Sequence, residues 1–137
     1  YLCGNEKRSY ISTIGIDILR RVVISELKIK VQIQFYITAW EERFRTIPKS
    51  CYKGFHGLVL CFDMNDESSF NFVKRAAQHI YEDNIPFVFC SNNSECSKIY
   101  NVEEEIKNCE GKIFYFKDNN KKGIHDGIGW LTDKFTK

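Results

Sequence analysis

GLVLCF at residues 57–62, SSFNFVKRAAQHIYED at 68–83 and PFVFC at 86–90 decide the architecture. The first and third are short, unbroken apolar runs closed off by turn residues, the pattern of strands covered on both faces, as in parallel sheets. The middle stretch repeats at helical spacing. Phe70, Val73, Ala77, Ile80 and Tyr81 fall on one face, and Ser68 or Ser69 is available to cap the start. Strand, crossover helix and parallel strand is the predicted unit.

Upstream of this unit, VVISELKIKVQIQFY at 22–36 alternates apolar and polar residues around a polar break at residues 25–28, which predicts a β-hairpin. Downstream, NVEEEIKNC at 101–109 predicts a short helix opened by Asn101, with three glutamates near the positive end of its dipole. KIFYF at 112–116 is a further apolar strand. GIHDGIGWLTDKF at 123–135 predicts a closing helix through Ile124, Ile128, Leu131 and Phe135, weakened by about 1 kcal/mol at each of Gly127 and Gly129. The sum is an α/β open sheet, mostly parallel, with an antiparallel hairpin at one edge.

A length of 137 residues fits one domain, and 43% hydrophobic residues can fill its core. Twenty Lys and Arg against 18 Asp and Glu leave a charge of +2, with both signs interspersed, so there is no basic stripe for nucleic acid. The six cysteines form no CxxC pair and read as free thiols of a reducing compartment, with Cys61 and Cys90 inside strands and expected to be buried. No apolar run approaches the roughly 20 residues of a membrane-spanning helix. His56, His79 and His125 fall on separate elements without a carboxylate or cysteine at ligand spacing. DMNDESSF at 63–70 lacks the glycine and distal glutamate of a calcium loop, and helix capping explains its acids better. The chain opens at Tyr1, and YLCGNEKR has no apolar signal core, so a piece of a longer cytoplasmic chain is expected.

SYISTIGID at 9–17, ITAWEERFRTI at 37–47 and CSNNSE at 90–95 stand in the order and approximate spacing of three segments of a Rab-type small GTPase domain. The chain resembles that family over nearly its whole length. The resemblance implies the Ras-like P-loop NTPase fold, with residues 1–137 as a single partial domain. The family's first strand and its phosphate loop of form GxxxxGK[ST] would lie upstream of Tyr1, since no such string occurs in this sequence. Also implied are GTP or GDP with Mg²⁺, and a nucleotide-dependent switch in intracellular vesicle traffic. Rab effectors and exchange factors are the implied partners. TDKFTK at 132–137 offers no cysteine for a lipid anchor, so a place on the cytosolic face of endomembranes would need lipidation elsewhere in the protein.

Residue by residue, the resemblance assigns the first segment to switch I. Thr13 would offer its hydroxyl to Mg²⁺ and its N–H to the terminal phosphate, so that GTP orders the loop and GDP releases it. Ile14, Gly15, Ile16 and Asp17, with Arg43 and Phe44, fall on the effector and exchange-factor face. The family's exposed aromatic triad corresponds to Ile18, Tyr36 and Cys51, a departure that leaves partner specificity open. Ala39 lies in the phosphate-facing part of switch II, and Asn92, Glu95 and the N–H of Asp118 correspond to the guanine-reading positions.

Switch II departs from the family's Asp-Thr-Ala-Gly-Gln-Glu, reading Ile37-Thr38-Ala39-Trp40-Glu41-Glu42. Ile37 has no oxygen with which to support Mg²⁺ through water. Trp40 brings a Cβ and an indole where glycine lets the backbone approach the γ-phosphate. Glu41, at the position of the water-orienting Gln, sets a negative charge beside the phosphate. In the base-reading loop, Glu95 carries the carboxylate on a longer stem and Asn93 lacks the aliphatic stem that covers the base. Hydrolysis is therefore expected to be lost or slowed, and two further readings stay open. One is a non-catalytic interaction module that keeps the effector face, and the other is a fragment without a function of its own.

Overall fold

The computed structural model describes residues 16–25, 28–38, 48–92, 101–109, 112–116 and 122–136. Strand β1 (Ile16–Ile24) pairs antiparallel with β2 (Lys30–Thr38) in unbroken register from Ile16↔Thr38 to Ile24↔Lys30. The hairpin thus extends beyond 22–36 at both ends. Its turn is closed by Ser25, whose N–H donates to the Ile29 carbonyl at 3.0 Å and whose hydroxyl accepts from the Ile29 N–H at 3.3 Å. Period two sorts the two faces. Leu19, Val23, Val31, Ile33 and Phe35 are half-buried on one, whereas Ile18, Val22 and Ile24 are exposed on the other.

Strands β3 (Leu58–Phe62), β4 (Phe87–Asn92) and β5 (Ile113–Phe116) form a parallel sheet in the order β3-β4-β5. Helix α1 (Glu67–Glu82) crosses from β3 to β4, α2 (Val102–Asn108) from β4 to β5, and α3 (Lys122–Thr136) follows β5. On one face Leu60, Phe62, Phe87 and Phe89 pack with Phe70, Val73, Ala77 and Ile80 of α1 and with Val102 and Ile106 of α2. On the other, Val88 and Cys90 pack with Leu131 and Trp130 of α3. Two helices, a sheet and a third helix therefore make three layers. Among the described residues the hairpin stands as a two-stranded sheet of its own, and its Tyr36 stacks on Phe55 at 4.9 Å.

Three sequence expectations change in detail. The cap of α1 is Asp66, whose carboxylate accepts from the Ser68 N–H at 3.0 Å, while the Ser69 hydroxyl donates to the Asp66 carbonyl at 2.8 Å. A carboxylate at the dipole's positive end satisfies an orphan amide that either serine was expected to take. Tyr81 is 50% exposed, because Ala76 is buried instead and centres the apolar arc on Val73 and Ile80, with Tyr81 at its rim. Cys61 is exposed because β3 is the edge of the described sheet, whereas its register partner Cys90 on central β4 is buried. Burial pushes the Cys90 thiol up to about 12, which keeps it protonated and unreactive.

Asn101 precedes α2 as expected, but with φ 58 and no side-chain capping bond. Lys74 pairs with Glu105, tying α1 to α2. At the far end of α1, Asp83 pairs with Lys49 and accepts from the Tyr52 hydroxyl at 3.2 Å, pinning the turn at Lys49–Cys51. Lys49 in turn holds the Asp83 carboxyl below its ordinary value.

The two glycines of α3 differ in environment. A Cβ on Gly127 would meet Phe114 at 3.2 Å and the Cys90 sulfur at 3.4 Å, so glycine lets the helix lie close on the sheet, whereas a Cβ on Gly129 would meet nothing within 4 Å. Gly129→Ala is expected to raise stability by about 0.5–1 kcal/mol through backbone entropy. Gly127→Ala is expected to gain nothing, since the crowded neighbours must give way. Urea midpoints at constant slope measure both.

Candidate functional site

Parallel strands deliver their carboxyl ends to one edge, the place where open α/β sheets hold ligands. At that edge Asp63 follows β3 and Asn92 ends β4, and the register Phe62↔Ser91 sets the two side by side. The Asn92 amide spans the gap. Its Oδ1 accepts from the Met64 N–H at 2.9 Å and its Nδ2 donates to Asp63 Oδ1 at 3.0 Å. An N–H on one side and a carboxylate on the other admit only one orientation of the amide.

The root beneath it is held as firmly. The buried Ser91 hydroxyl donates to the Phe62 carbonyl at 2.9 Å, joining β4 to β3 by a side chain just before the strands end. Asp63 Oδ1 also accepts from the Asn65 N–H at 2.8 Å, and the Asp63 N–H donates to the Ser69 hydroxyl at 3.0 Å. The Asn65 N–H, and after it the Asn92 amide, hold the Asp63 carboxyl below its ordinary range. It is therefore ionised at neutral pH and accepts only, which suits a fixed donor such as Nδ2. An amide offers two N–H groups and two lone pairs; these contacts engage one N–H and one lone pair, and the Ser91 hydroxyl also lies 3.3 Å from Oδ1. The chemistry left at Asn92 is one N–H donor at the mouth of the sheet, suited to an acceptor on a planar polar edge such as a base.

Of the residues assigned from sequence, Asn92 is the one whose side chain the structure places at this edge. Thr13, Ile14, Gly15, Ala39, Glu41, Arg43, Phe44, Glu95 and Asp118 lie outside the described residues, as do Trp40 and Asn93. Ile16 and Asp17 open β1 opposite Thr38 and Ile37. Ile37, which the resemblance sets at the position supporting Mg²⁺, is half-buried within β2, and its side chain offers no oxygen to fit such an ion. Ile18 and Tyr36 are cross-strand partners and both exposed, and Cys51 is exposed on the turn after the hairpin. Among the described residues no group of three His, Cys, Asp or Glu could hold a metal ion. No described helix is long and apolar enough to cross a membrane.

From sequence Asp63 belongs to a poor calcium-loop match, and its contact with Asn92 is a finding of the structure. A signal was present, because each residue stands at the end of an apolar run belonging to adjacent parallel strands. Asp63 and Asn92 lie at equal offsets from Gly57 and Pro86, the first residues of those runs, and this brings the two together.

The model of the Ras family matches residues 1–122. The chain is 41% identical over 93 residues to the Ras-related protein RABD2a of Arabidopsis thaliana, covering 66% of this chain and 45% of that protein. It is 49% identical over 72 residues to the GTP-binding protein ypt1 of Schizosaccharomyces pombe, covering 53% of this chain and 35% of that protein. The GTP-binding protein YPTM2 of Zea mays is 41% identical over 90 residues, 64% of this chain and 44% of that protein. The chain spans less than half the length of each of these relatives.

Proposed function

The chain belongs to the Ras family, and from that premise we propose that it forms part of a Rab-type guanine-nucleotide switch acting in vesicle traffic. The observation that carries this reading is the 49% identity to a relative named as a GTP-binding protein. The Asn92 amide supports it, held in one orientation at the carboxyl edge of the sheet with an N–H donor to spare for a base. We take residues 1–137 as one partial small-GTPase domain, with its nucleotide on the exposed carboxyl edge.

In this reading Asn92 contacts the base and tethers its loop, Glu95 accepts from the guanine edge, and the Asp118 N–H completes base recognition. Thr13 and Ala39 face the phosphates, and Glu41 stands where water is oriented. Ile14, Gly15, Ile16, Asp17, Arg43 and Phe44 form the face that effectors and exchange factors read, on the cytosolic side of endomembranes. Bound Mg²⁺ would neutralise phosphate charge, held by Thr13 and without help from Ile37. No phosphate cradle of form GxxxxGK[ST] lies in residues 1–137, so the full-length protein is the object to test.

A switch must distinguish its two nucleotides, and Thr13 is the residue assigned to the difference. Thr13→Ala in the full-length protein is expected to weaken a non-hydrolysable GTP analogue about tenfold, the scale of one hydrogen bond to a charged partner, with GDP affinity changed less than twofold. Titration with both nucleotides measures the ratio. Equal weakening of the two would remove Thr13 from the switch.

A further inference from the structure

We propose that Asp63 is a positioning residue for base recognition, acting through Asn92. The inference rests on the reading of Asn92 as a base contact and adds a residue which that reading does not contain. An asparagine that must present a donor to a planar edge is useful only if its amide does not flip, because a flip puts an acceptor in the donor's place. The Met64 N–H alone would bias the orientation, since it can meet Oδ1 but not Nδ2. Asp63 adds the complementary constraint, accepting from Nδ2 at 3.0 Å. The carboxylate is itself fixed by the Asn65 N–H at 2.8 Å, while its backbone N–H is held by Ser69 at 3.0 Å. The start of α1, through Ser69 and the Asp66 cap, is thereby connected to the amide that would meet the base.

The geometry predicts different outcomes for two substitutions. Asp63→Ala removes the acceptor, whereas Asp63→Asn keeps an oxygen able to accept from both Asn92 Nδ2 and the Asn65 N–H. In the full-length protein, Asp63→Ala is expected to speed release of fluorescent GDP about tenfold, and Asp63→Asn to restore release to within about threefold of the parent. Normal release from a folded Asp63→Ala protein, or equal loss in both variants, would overturn the proposal. A second measurement needs no variant and no nucleotide. In the unmutated protein, the Asn92 side-chain amide protons followed by NMR should shift with the ionisation of Asp63, at a pH below the ordinary carboxylate range. An Asn92 amide that ignores that titration overturns the proposal even where GDP binds. Failure of the parent to bind GDP would instead remove the nucleotide reading, and the NMR titration would still decide whether Asp63 fixes the amide.

Discussion

Phe89→Ala is expected to destabilise the protein by about 3–5 kcal/mol, the range for deleting a fully enclosed aromatic ring. Phe89 lies on β4, the central strand of the parallel sheet, and is 0% exposed. Its ring meets Phe87 at 5.7 Å and Phe62 at 6.3 Å, both edge-on, a geometry that adds to the burial itself. Domains of this size are stable by only about 5–15 kcal/mol. The loss would therefore remove much of the margin and lower the denaturation midpoint without changing the slope. Phe135, 43% exposed on α3, is the contrast. Its replacement by alanine is expected to change stability by no more than about 1 kcal/mol, and equal effects at the two positions would contradict the layer arrangement.

The second large effect concerns chemistry. Glu41→Gln in the full-length protein is expected to raise single-turnover GTP hydrolysis roughly a hundredfold. A carboxylate about 5 Å from a phosphate oxygen, at an effective dielectric near 20, is opposed by roughly 3 kcal/mol, and each 1.36 kcal/mol is about tenfold in rate. Glutamine removes the charge and can orient water. Trp40→Gly and Ile37→Asp address the other two departures. The latter sets a carboxylate at a half-buried position of β2, so it should lower stability where no cation compensates it. If Glu41→Gln leaves the rate unchanged while GTP stays bound, charge at this position is not what limits hydrolysis.

Most of the fold was legible because its signals are periodic and local. The runs at 57–62 and 86–90 and the helical face through Phe70, Val73, Ala77 and Ile80 correspond to β3, β4 and α1 as built. What was misread depended on a tertiary neighbour. Tyr81 and Ala76 compete for the edge of one helical arc, and only the position of the sheet decides between them. Cys61 has the surroundings of a buried residue in sequence but lies on an edge strand of the described sheet.

The site was legible unevenly, for a related reason. Asn92 could be singled out from its strand-end position and the motif around it. Asp63 stands out less, since its contact with Asn92 joins residues 29 apart in the chain. Such a contact leaves only a faint signal in one sequence, the matched offsets of two residues along adjacent parallel strands.

A guanine-specific nucleotide site in the full-length protein is probed by displacing fluorescent GDP in the presence of Mg²⁺. Saturable binding is expected, displaced by unlabelled GDP and not by ADP at the same concentration. Absence of saturable binding, or equal displacement by both nucleotides, would contradict it.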